Sequence, residues 1–105
     1  MNTHPGEIWL ADLGLTAKAR PVVVVSRYDP NAPRALVVYV PLTTQNRGSL
    51  YEIALPKLNF LDRPSIANVQ GIGSMPTVRL TRKLGKLPDS AMAQVKQALV
   101  FAFAL

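Results

Sequence analysis

Short runs of hydrophobic residues, separated by turn-forming residues, extend along most of the chain. These runs predict β-strands over residues 6–13, 21–26, 35–42, 50–55, 65–70 and 83–87. The run at 21–26 is rich in valine, which is typical of a strand buried on both faces. Between the last two strands, Gly71, Gly73 and Pro76 are expected to interrupt regular structure before residues 77–80.

The connecting segments and the end of the chain carry a different pattern. Residues 14–19 predict a short loop, and residues 46–48 predict a hairpin turn between the third and fourth strands. Residues 56–64 are expected to be irregular, with one helical turn around Leu58 and Leu61. Residues 88–90 give a helix start signal. Apolar residues then recur at helical spacing at Met92, Val95, Leu99 and Phe103.

This order of elements is mostly β with a C-terminal helix. It predicts a single domain over residues 1–105, built as a small, strongly curved antiparallel sheet or open barrel that the helix caps. Apolar residues at 99–105 cover more than one face of the helix. Either the helix sinks deep into its own core or the surplus contacts another subunit, and we favour a homodimer.

The composition limits the class of protein. Hydrophobic residues make up 49% of the chain and charged residues 17%, a balance that disfavours intrinsic disorder. No apolar run approaches the roughly 20 residues of a membrane-spanning helix, and the N-terminus does not resemble a signal peptide. We therefore expect a cytoplasmic protein without a membrane partner. The absence of cysteine excludes disulfides and thiolate metal sites.

The formal net charge of +6 points to an anionic partner. The strand interiors are nearly uncharged, and most basic residues fall at strand ends and turns. We expect these residues to gather at one rim of the sheet and to form a groove that attracts phosphate. The alternative is that the charge merely keeps the protein soluble. The basic residues concerned are Lys18, Arg20, Arg27, Arg34, Arg47, Arg79, Arg82, Lys83 and Lys86.

Few of the common catalytic groups are present. The single histidine, His4, lies near the N-terminus, and the acidic residues are too scattered to suggest a pair of metal sites. Gly71 and Gly73 lack the third glycine and the following helix of a dinucleotide site. We predict no metal ion and no cofactor, so hydrolytic or transfer chemistry would have to rely on arginine, threonine and backbone donors.

One pair of polar residues suits phosphodiester chemistry. Arg20 enters the second predicted strand and Thr43 leaves the third. If these strands are neighbours, a guanidinium and a hydroxyl meet at the rim and can bind one phosphoryl group. Two alternatives stay open: Arg20 could form an ion pair with Asp12 or Glu52, and Thr43 could be an ordinary strand threonine.

Several segments resemble a known family. The matching segments are Gly-Glu-Ile-Trp at residues 6–9, Arg20 and Pro21 before the valine strand, and Pro-Leu-Thr-Thr-Gln at 41–45. Weaker matches are Gln70 and the C-terminal amphipathic helix. In this order along nearly the whole chain, they resemble the MazF/PemK family of toxins, which are ribosome-independent mRNA interferases.

The resemblance implies a MazF/PemK/CcdB-like fold, an SH3-like small barrel that forms a homodimer through the C-terminal helix and a sheet edge. It implies a metal-independent endoribonuclease of a type II toxin–antitoxin system, which cleaves single-stranded RNA to a 2′,3′-cyclic phosphate and a 5′-hydroxyl. A cognate acidic antitoxin would compete with RNA for the basic groove. Arg20 and Thr43 match the catalytic residues, and RNA contacts are expected from Lys18, Arg27, Thr44, Gln45, Asn46, Arg47 and Gln70.

Two other functions remain open. A non-catalytic homologue that binds RNA or antitoxin is suggested by residues 67–69, Ala-Asn-Val, where some family members carry arginine and aspartate. A gyrase-binding toxin of the same fold would rely on aromatic residues at the extreme C-terminus, whereas residues 101–105 resemble buried core. If the protein is a nuclease, Arg20 is expected to stabilise negative charge on the phosphoryl group. Arginine stays protonated and is a poor base, so the general base is unassigned.

Overall fold

The computed structural model describes residues 2–14 and 18–105 of the chain. These residues form seven strands, two 3₁₀ turns and one helix. The strands are β1 (Glu7–Ala11), β2 (Arg20–Val24), β3 (Leu36–Thr43), β4 (Glu52–Ala54), β5 (Ile66–Asn68), β6 (Gly73–Pro76) and β7 (Leu80–Lys86). The 3₁₀ turns are Val69–Gly71 and Thr77–Arg79, and the helix α1 is Asp89–Ala102. Residues 15–17 of the predicted first loop lie outside the described residues.

The strands form one antiparallel sheet in the order β4-β5-β3-β2-β1-β7. Strand β3 is central because it pairs with β2 on one edge and with both β5 and β6 on the other. Along that second edge, β6 pairs with the first half of β3 and β5 pairs with its last two residues, Leu42 and Thr43. The predicted antiparallel sheet with a C-terminal helix is therefore confirmed.

The predicted hairpin between the third and fourth strands is wrong. Strand β5 lies between β3 and β4, and β4 pairs with β5 alone. The local turn chemistry is nevertheless present, since Gly48 has a φ of +72° and its N–H donates to Asn46 Oδ1 at 2.8 Å. A turn fixes only the direction of the chain, whereas the neighbour of a strand is decided by long-range pairing.

The prediction of irregular structure over residues 71–76 is also wrong in part. Residues Gly73–Pro76 form β6, paired with β3 from Leu36 to Tyr39. Gly73 does not break the strand but lets Tyr39 lie across it, because a Cβ at Gly73 would come within 2.9 Å of the Tyr39 hydroxyl. Near residue 60 the structure has a hydrogen-bonded turn, with Leu61 N donating to Leu58 O at 3.1 Å, and no helical element, so the predicted helical turn is wrong.

The hydrophobic core lies on both faces of the sheet. Val22, Val23 and Val24 of β2 are all fully buried, as the valine run predicts. Val23 contributes to the cluster that packs under α1, and Val22 and Val24 contribute to the cluster on the opposite face. The helix packs against the first cluster with its buried residues, which are Ala91, Met92, Val95 and Ala98.

The end of the helix is exposed. Side chains of Val100, Phe101, Phe103 and Leu105 are between 47% and 86% exposed, so the expectation that residues 101–105 are buried core is wrong. One face of α1 already covers the sheet, and these residues lie beyond it. Within residues 2–14 and 18–105, no helix combines the length and apolar character needed to cross a membrane.

Candidate functional site

Arg20 and Thr43 lie side by side at one end of the β2–β3 pair. The register joins Val22 to Pro41 and Val24 to Tyr39. Continuing that register by two residues sets Arg20 opposite Thr43, and directly opposed residues present their side chains on the same face. Arg20 is the exposed first residue of β2, and Thr43 is the half-buried last residue of β3.

Both residues line a cleft of about 380 Å³. Its other walls come from the start of the segment after β1, from β2 and the end of β3, and from the residue before β5. These walls are Leu13, Pro21, Pro41, Leu42, Thr44 and Ser65. A guanidinium and a hydroxyl therefore share one cleft whose remaining surface is largely apolar, which suits the binding of one phosphoryl group.

The Arg20 guanidinium is not neutralised by a neighbouring acid. Among the described residues, ion pairs are formed by Glu7 with His4 and Lys83, and none involves Arg20. The alternative partners proposed from the sequence are engaged elsewhere. Asp12 accepts a hydrogen bond from Gly14 N at 2.9 Å, and Glu52 accepts from the segment that follows β3. Arg20 thus keeps its charge available for an anionic ligand.

A second cleft, of about 470 Å³, adjoins the first at Thr43. It carries polar side chains from three segments: the loop after β3, the start of β4 and the turn after β5. Its lining is Thr43, Gln45, Arg47, Ser49, Tyr51, Glu52, Asn68 and Gln70. We call the two adjoining clefts together the Thr43 groove.

Glu52 organises the loop that forms one wall of the Thr43 groove. Its carboxylate accepts from Arg47 N at 2.9 Å, from Ser49 N at 3.1 Å and from Ser49 Oγ at 2.6 Å. The Ser49 hydroxyl, followed by the backbone N–H groups of Arg47 and Ser49, lowers the pKa of Glu52 below its ordinary value of 4.5. The negative charge in the groove is therefore used to hold the loop that carries Gln45 and Arg47.

Two further bonds fix the polar groups beside Thr43. The Thr43 hydroxyl oxygen accepts from Gln45 N at 3.2 Å, which leaves its own proton available for a ligand. Asn68 Oδ1 accepts from Gln70 N at 3.1 Å and begins the 3₁₀ turn that presents Gln70. Gly71 closes this turn tightly, because a Cβ there would come within 2.8 Å of Pro41 Cγ.

The structure brings together six of the nine predicted site residues. Arg20, Thr43, Thr44, Gln45, Arg47 and Gln70 all line the Thr43 groove.

The other three predicted site residues lie outside the Thr43 groove. Lys18 is exposed and lines neither part of it, and Asn46 caps the turn at Gly48. Arg27 lies beyond the opposite end of β2 and lines a separate cleft with Arg34. The prediction of a single basic rim is therefore wrong: Arg20 and Arg27 flank the same strand and lie at its two ends.

Sequence reasoning missed several lining residues. Ser65, Ser49, Tyr51 and Asn68 reach the groove because β5 inserts between β3 and β4, an order that no local pattern encodes. Glu52 was considered only as a partner of Arg20. The spacing of Arg47, Ser49 and Glu52 gave a signal, because a carboxylate can accept from backbone N–H groups a few residues earlier.

No metal site accompanies these groups in the part of the chain that the structure describes. Within residues 2–14 and 18–105, no three His, Cys, Asp or Glu side chains are grouped so that they could hold an ion. What the groove offers is a guanidinium, a hydroxyl and amide groups held by a hydrogen-bonded loop.

Comparison with known proteins assigns this chain to a family. The family model described as the PemK-like, MazF-like toxin of type II toxin-antitoxin systems matches residues 4–103. Among curated proteins, the chain is 36% identical over 100 residues to the probable endoribonuclease MazF5 of Mycobacterium tuberculosis, covering 92% of this chain and 89% of that protein. The chain therefore belongs to the PemK-like, MazF-like family of toxins.

Solved structures give the same result for the whole fold. A mycobacterial endoribonuclease in complex with its cognate antitoxin matches with a TM-score of 0.85 and 28% identity, covering 98% of this chain and 96% of that one. The Mycobacterium tuberculosis toxin MazF-mt6 matches with a TM-score of 0.82 and 30% identity, covering 94% and 97%. The resemblance found from the sequence is confirmed.

Proposed function

We propose that this protein is the toxin of a type II toxin–antitoxin system and acts as a metal-independent endoribonuclease on single-stranded RNA. The observation that carries the proposal is the shared cleft of Arg20 and Thr43, with an arginine that no acid neutralises among the described residues. Family membership supports it, since the curated relatives are named endoribonucleases.

The proposed reaction is an internal transesterification. The 2′-oxygen of the nucleotide attacks the adjacent phosphorus, the O2′–P bond forms and the P–O5′ bond breaks. The proton leaves the 2′-hydroxyl, and the departing 5′-oxygen takes up a proton, so the products are a 2′,3′-cyclic phosphate and a 5′-hydroxyl. Negative charge builds on the non-bridging oxygens, where the Arg20 guanidinium and the Thr43 hydroxyl donate hydrogen bonds.

Proton removal is not assigned to Glu52. Its carboxylate lies in the groove, but it already accepts three hydrogen bonds and its lowered pKa makes it a weaker proton acceptor. We infer that Glu52 is a positioning residue for the loop, and that Arg20 supplies charge stabilisation and a proton donor near the leaving oxygen.

The rest of the Thr43 groove would hold the RNA strand on one side of the cleaved bond. Arg47 offers a cation for a phosphate, and Gln45 and Gln70 offer amide donors and acceptors for base edges. Thr44 lines the other half of the groove and would lie beside the reacting phosphate.

We further propose that a cognate antitoxin with an acidic segment competes with RNA for the Thr43 groove in the cytoplasm. Such a segment would meet Arg20 and Arg47, which carry the positive charge of the groove. Support comes from the family description and from a solved mycobacterial endoribonuclease that is bound to its antitoxin.

We also propose a homodimer through the C-terminal helix and the adjacent sheet edge at β4. Phe101, Phe103 and Leu105 expose apolar surface at the helix end, and Leu50, just before β4, is 70% exposed. A dimer would bury this surface. Sedimentation at micromolar concentration should give a dimer, and Phe103→Ser should shift it toward monomer. A monomeric wild-type protein would contradict this proposal.

The central experiment is cleavage of a mixed single-stranded RNA in EDTA, followed by analysis of the product ends. Wild-type protein should cleave and leave cyclic phosphate and 5′-hydroxyl ends, whereas Arg20→Ala and Thr43→Ala should not cleave at a comparable rate. Lys57→Ala is a matched control because Lys57 is exposed and lines none of the clefts described above.

Two other outcomes would contradict the nuclease. Binding of RNA without cleavage by wild-type protein would identify a non-catalytic homologue. Inhibition of gyrase supercoiling with the RNA left intact would identify a gyrase-binding toxin, a function to which the exposed Phe101 and Phe103 are available in the isolated chain.

A further inference from the structure

A separate cleft of about 320 Å³ lies beyond the opposite end of β2 from Arg20. It is formed by the loop between β2 and β3, together with the N-terminal segment and the start of the second 3₁₀ turn. Arg27, Tyr28 and Arg34 supply its charged and aromatic side chains, and Thr3 and Thr77 supply hydroxyls. We call it the Arg27 cleft. None of its residues lines the Thr43 groove.

The Arg27 cleft is positively charged. Neither Arg27 nor Arg34 takes part in an ion pair with any residue that the structure describes. The cleft contains one acid, Asp29, whose carboxylate accepts a hydrogen bond from Asn31 N at 2.9 Å and so holds its own turn. The same arrangement occurs in the Thr43 groove, where Glu52 binds its own loop. In both places the arginines remain available for an anion.

An aromatic pair lies beside these arginines. The rings of His4 and Tyr28 stack with their centroids 4.5 Å apart and their planes 2° from parallel. The Tyr28 side chain is 41% exposed although its ring is held in place. Glu7 fixes the backbone of His4. One of its carboxylate oxygens accepts a hydrogen bond from His4 N at 3.1 Å, and the other lies 3.0 Å from Lys83 Nζ.

The loop that carries the two arginines is fixed before any ligand binds. Ser26 Oγ accepts from Val38 N at 3.1 Å where the loop leaves β2. At its other end, Ala35 O accepts from Thr77 N at 3.0 Å. Pro30 and Pro33 restrict the backbone between these points. An ordered loop loses little conformational entropy on binding, so its charged side chains bind an extended ligand more effectively.

We propose that the Arg27 cleft binds a segment of single-stranded RNA that lies outside the cleaved phosphodiester, with phosphates on Arg27 and Arg34 and a base against Tyr28. Guanidinium groups beside a held aromatic ring are the usual elements for binding an unpaired strand. An acidic peptide would use the arginines but gains little from the aromatic pair, so the observations favour RNA. The inference rests on the proposed function, and it extends that function to a second contact.

The test compares two lengths of RNA that cannot be cleaved. Oligonucleotides of about 4 and about 16 nucleotides, with 2′-O-methyl groups that block attack, are titrated with the protein by fluorescence anisotropy. Arg34→Ala and Tyr28→Ala should each reduce the preference for the longer strand by about tenfold. Arg34→Ala should also lower the salt dependence for the longer strand by about 0.7 per lost phosphate contact.

Controls make a negative result decisive. Arg34 is exposed, so Arg34→Ala should melt at the wild-type temperature, whereas Tyr28→Ala loses the stack on His4 and should melt a few degrees lower but remain folded at the assay temperature. Lys57→Ala should keep the wild-type length preference. An unchanged length preference in both variants would overturn the proposal. Weaker binding of a glutamate-rich peptide, with RNA binding unchanged, would overturn it too and would assign the cleft to a protein partner.

The same experiment separates this inference from the proposed function. Because the oligonucleotides cannot be cut, binding is measured whether or not the protein is a nuclease. If wild-type protein fails to cleave natural RNA but the variants lose length preference, the Arg27 cleft stands as an RNA site and the nuclease fails. If wild-type protein cleaves and the variants keep their length preference, only the second RNA site fails.

Discussion

The two ends of strand β2 carry the same kind of residue in different surroundings. At one end, the register of β2 with β3 sets Arg20 opposite Thr43, and both residues line one cleft. At the other end, Arg27 and Arg34 lie beside the stacked rings of Tyr28 and His4. Guanidinium groups are common to both ends, so the neighbouring group decides what each can do.

A hydroxyl beside a guanidinium can stabilise charge that develops on one phosphoryl group, whereas an aromatic ring beside a guanidinium can hold an unpaired base and its phosphate. Each end of β2 also has an acidic residue that holds a nearby segment in place. Glu52 holds the loop of the Thr43 groove, and Glu7 holds the segment that carries His4. Each end can therefore be weakened separately.

The largest effect is expected at the reacting end. Arg20→Ala and Thr43→Ala should each lower kcat by about 10²–10³, because each removes a donor fixed at the developing charge. If both donors bind one phosphoryl group, the double variant should lose much less than the product of the two losses. Single-turnover cleavage of a short RNA, about 4 nucleotides long, measures this without a contribution from the Arg27 cleft.

Strict additivity of the two losses would contradict a shared phosphoryl group. It would mean that Arg20 and Thr43 act on separate parts of the substrate. Thr43→Ser serves as the conservative control, since it keeps the hydroxyl and should keep most of the activity.

The next effect is on stability, and it concerns the segment beside the Arg27 cleft. Burial raises the pKa of Glu7, but hydrogen bonds from Trp9, Lys83 and the backbone of His4 outweigh it, so the pKa lies below the ordinary 4.5. Glu7→Gln should lower the free energy of unfolding by about 1–2 kcal/mol at neutral pH, because the bond to Lys83 loses its charge. Urea denaturation gives this value.

The pH dependence gives a second check on Glu7. A depressed pKa in the folded state means that the stabilisation is present above pH 4.5 and is lost as the pH falls through the folded value. The side chains that face this carboxylate are those of His4 and Lys83. Wild-type protein should therefore lose stability more steeply than Glu7→Gln below pH 4.5, and parallel curves would contradict the role of this carboxylate.

The smallest effect is expected from the loop of the Thr43 groove. Glu52→Gln keeps the size of the side chain but loses its charge and one acceptor, so the segment carrying Gln45 and Arg47 should be held less firmly. We expect kcat/KM for RNA to fall about fivefold, which corresponds to one weakened hydrogen bond. Steady-state cleavage measures it, and Ser49→Ala, which removes one donor to Glu52, should fall in the same direction.

The pH profile of cleavage, compared between wild-type protein and Glu52→Gln, gives a second check on this positioning role. The pKa of Glu52 lies below its ordinary value of 4.5, so protonation should reduce wild-type cleavage only below that pH. Glu52→Gln should lack this step in its pH profile. A Gln variant with the wild-type profile would remove Glu52 from the description of the groove.

The sequence was most informative where one local signal decided the outcome. The valine run of β2 predicted a strand buried on both faces, and the placement of Arg20 and Thr43 at strand ends predicted that they lie at the same rim, where both line one cleft. The hairpin after β3 and the irregular segment at Gly73 were predicted wrongly. Both errors concern residues that are distant in sequence. The order of the strands depends on β5, which lies between β3 and β4, and the strand at Gly73 depends on packing against Tyr39.

The distribution of charge was predicted less well, for a geometric reason. Arg20 begins β2 and Arg27 lies three residues past its end, so up to about 23 Å of extended chain separates them at about 3.3 Å per residue. The prediction treated all strand ends as one rim. A strand has two ends, which lie at opposite rims of the sheet, so the basic residues at each rim must be considered separately.

The most direct test of the central claim is a crystal structure of the protein with a 2′-O-methyl RNA that spans the cleavage site. The account predicts that non-bridging oxygens of a single phosphate lie about 2.7–3.1 Å from both the Arg20 guanidinium and Thr43 Oγ1. An RNA whose phosphates contact Arg20 and Thr43 separately, or a strand that avoids this cleft, would contradict it.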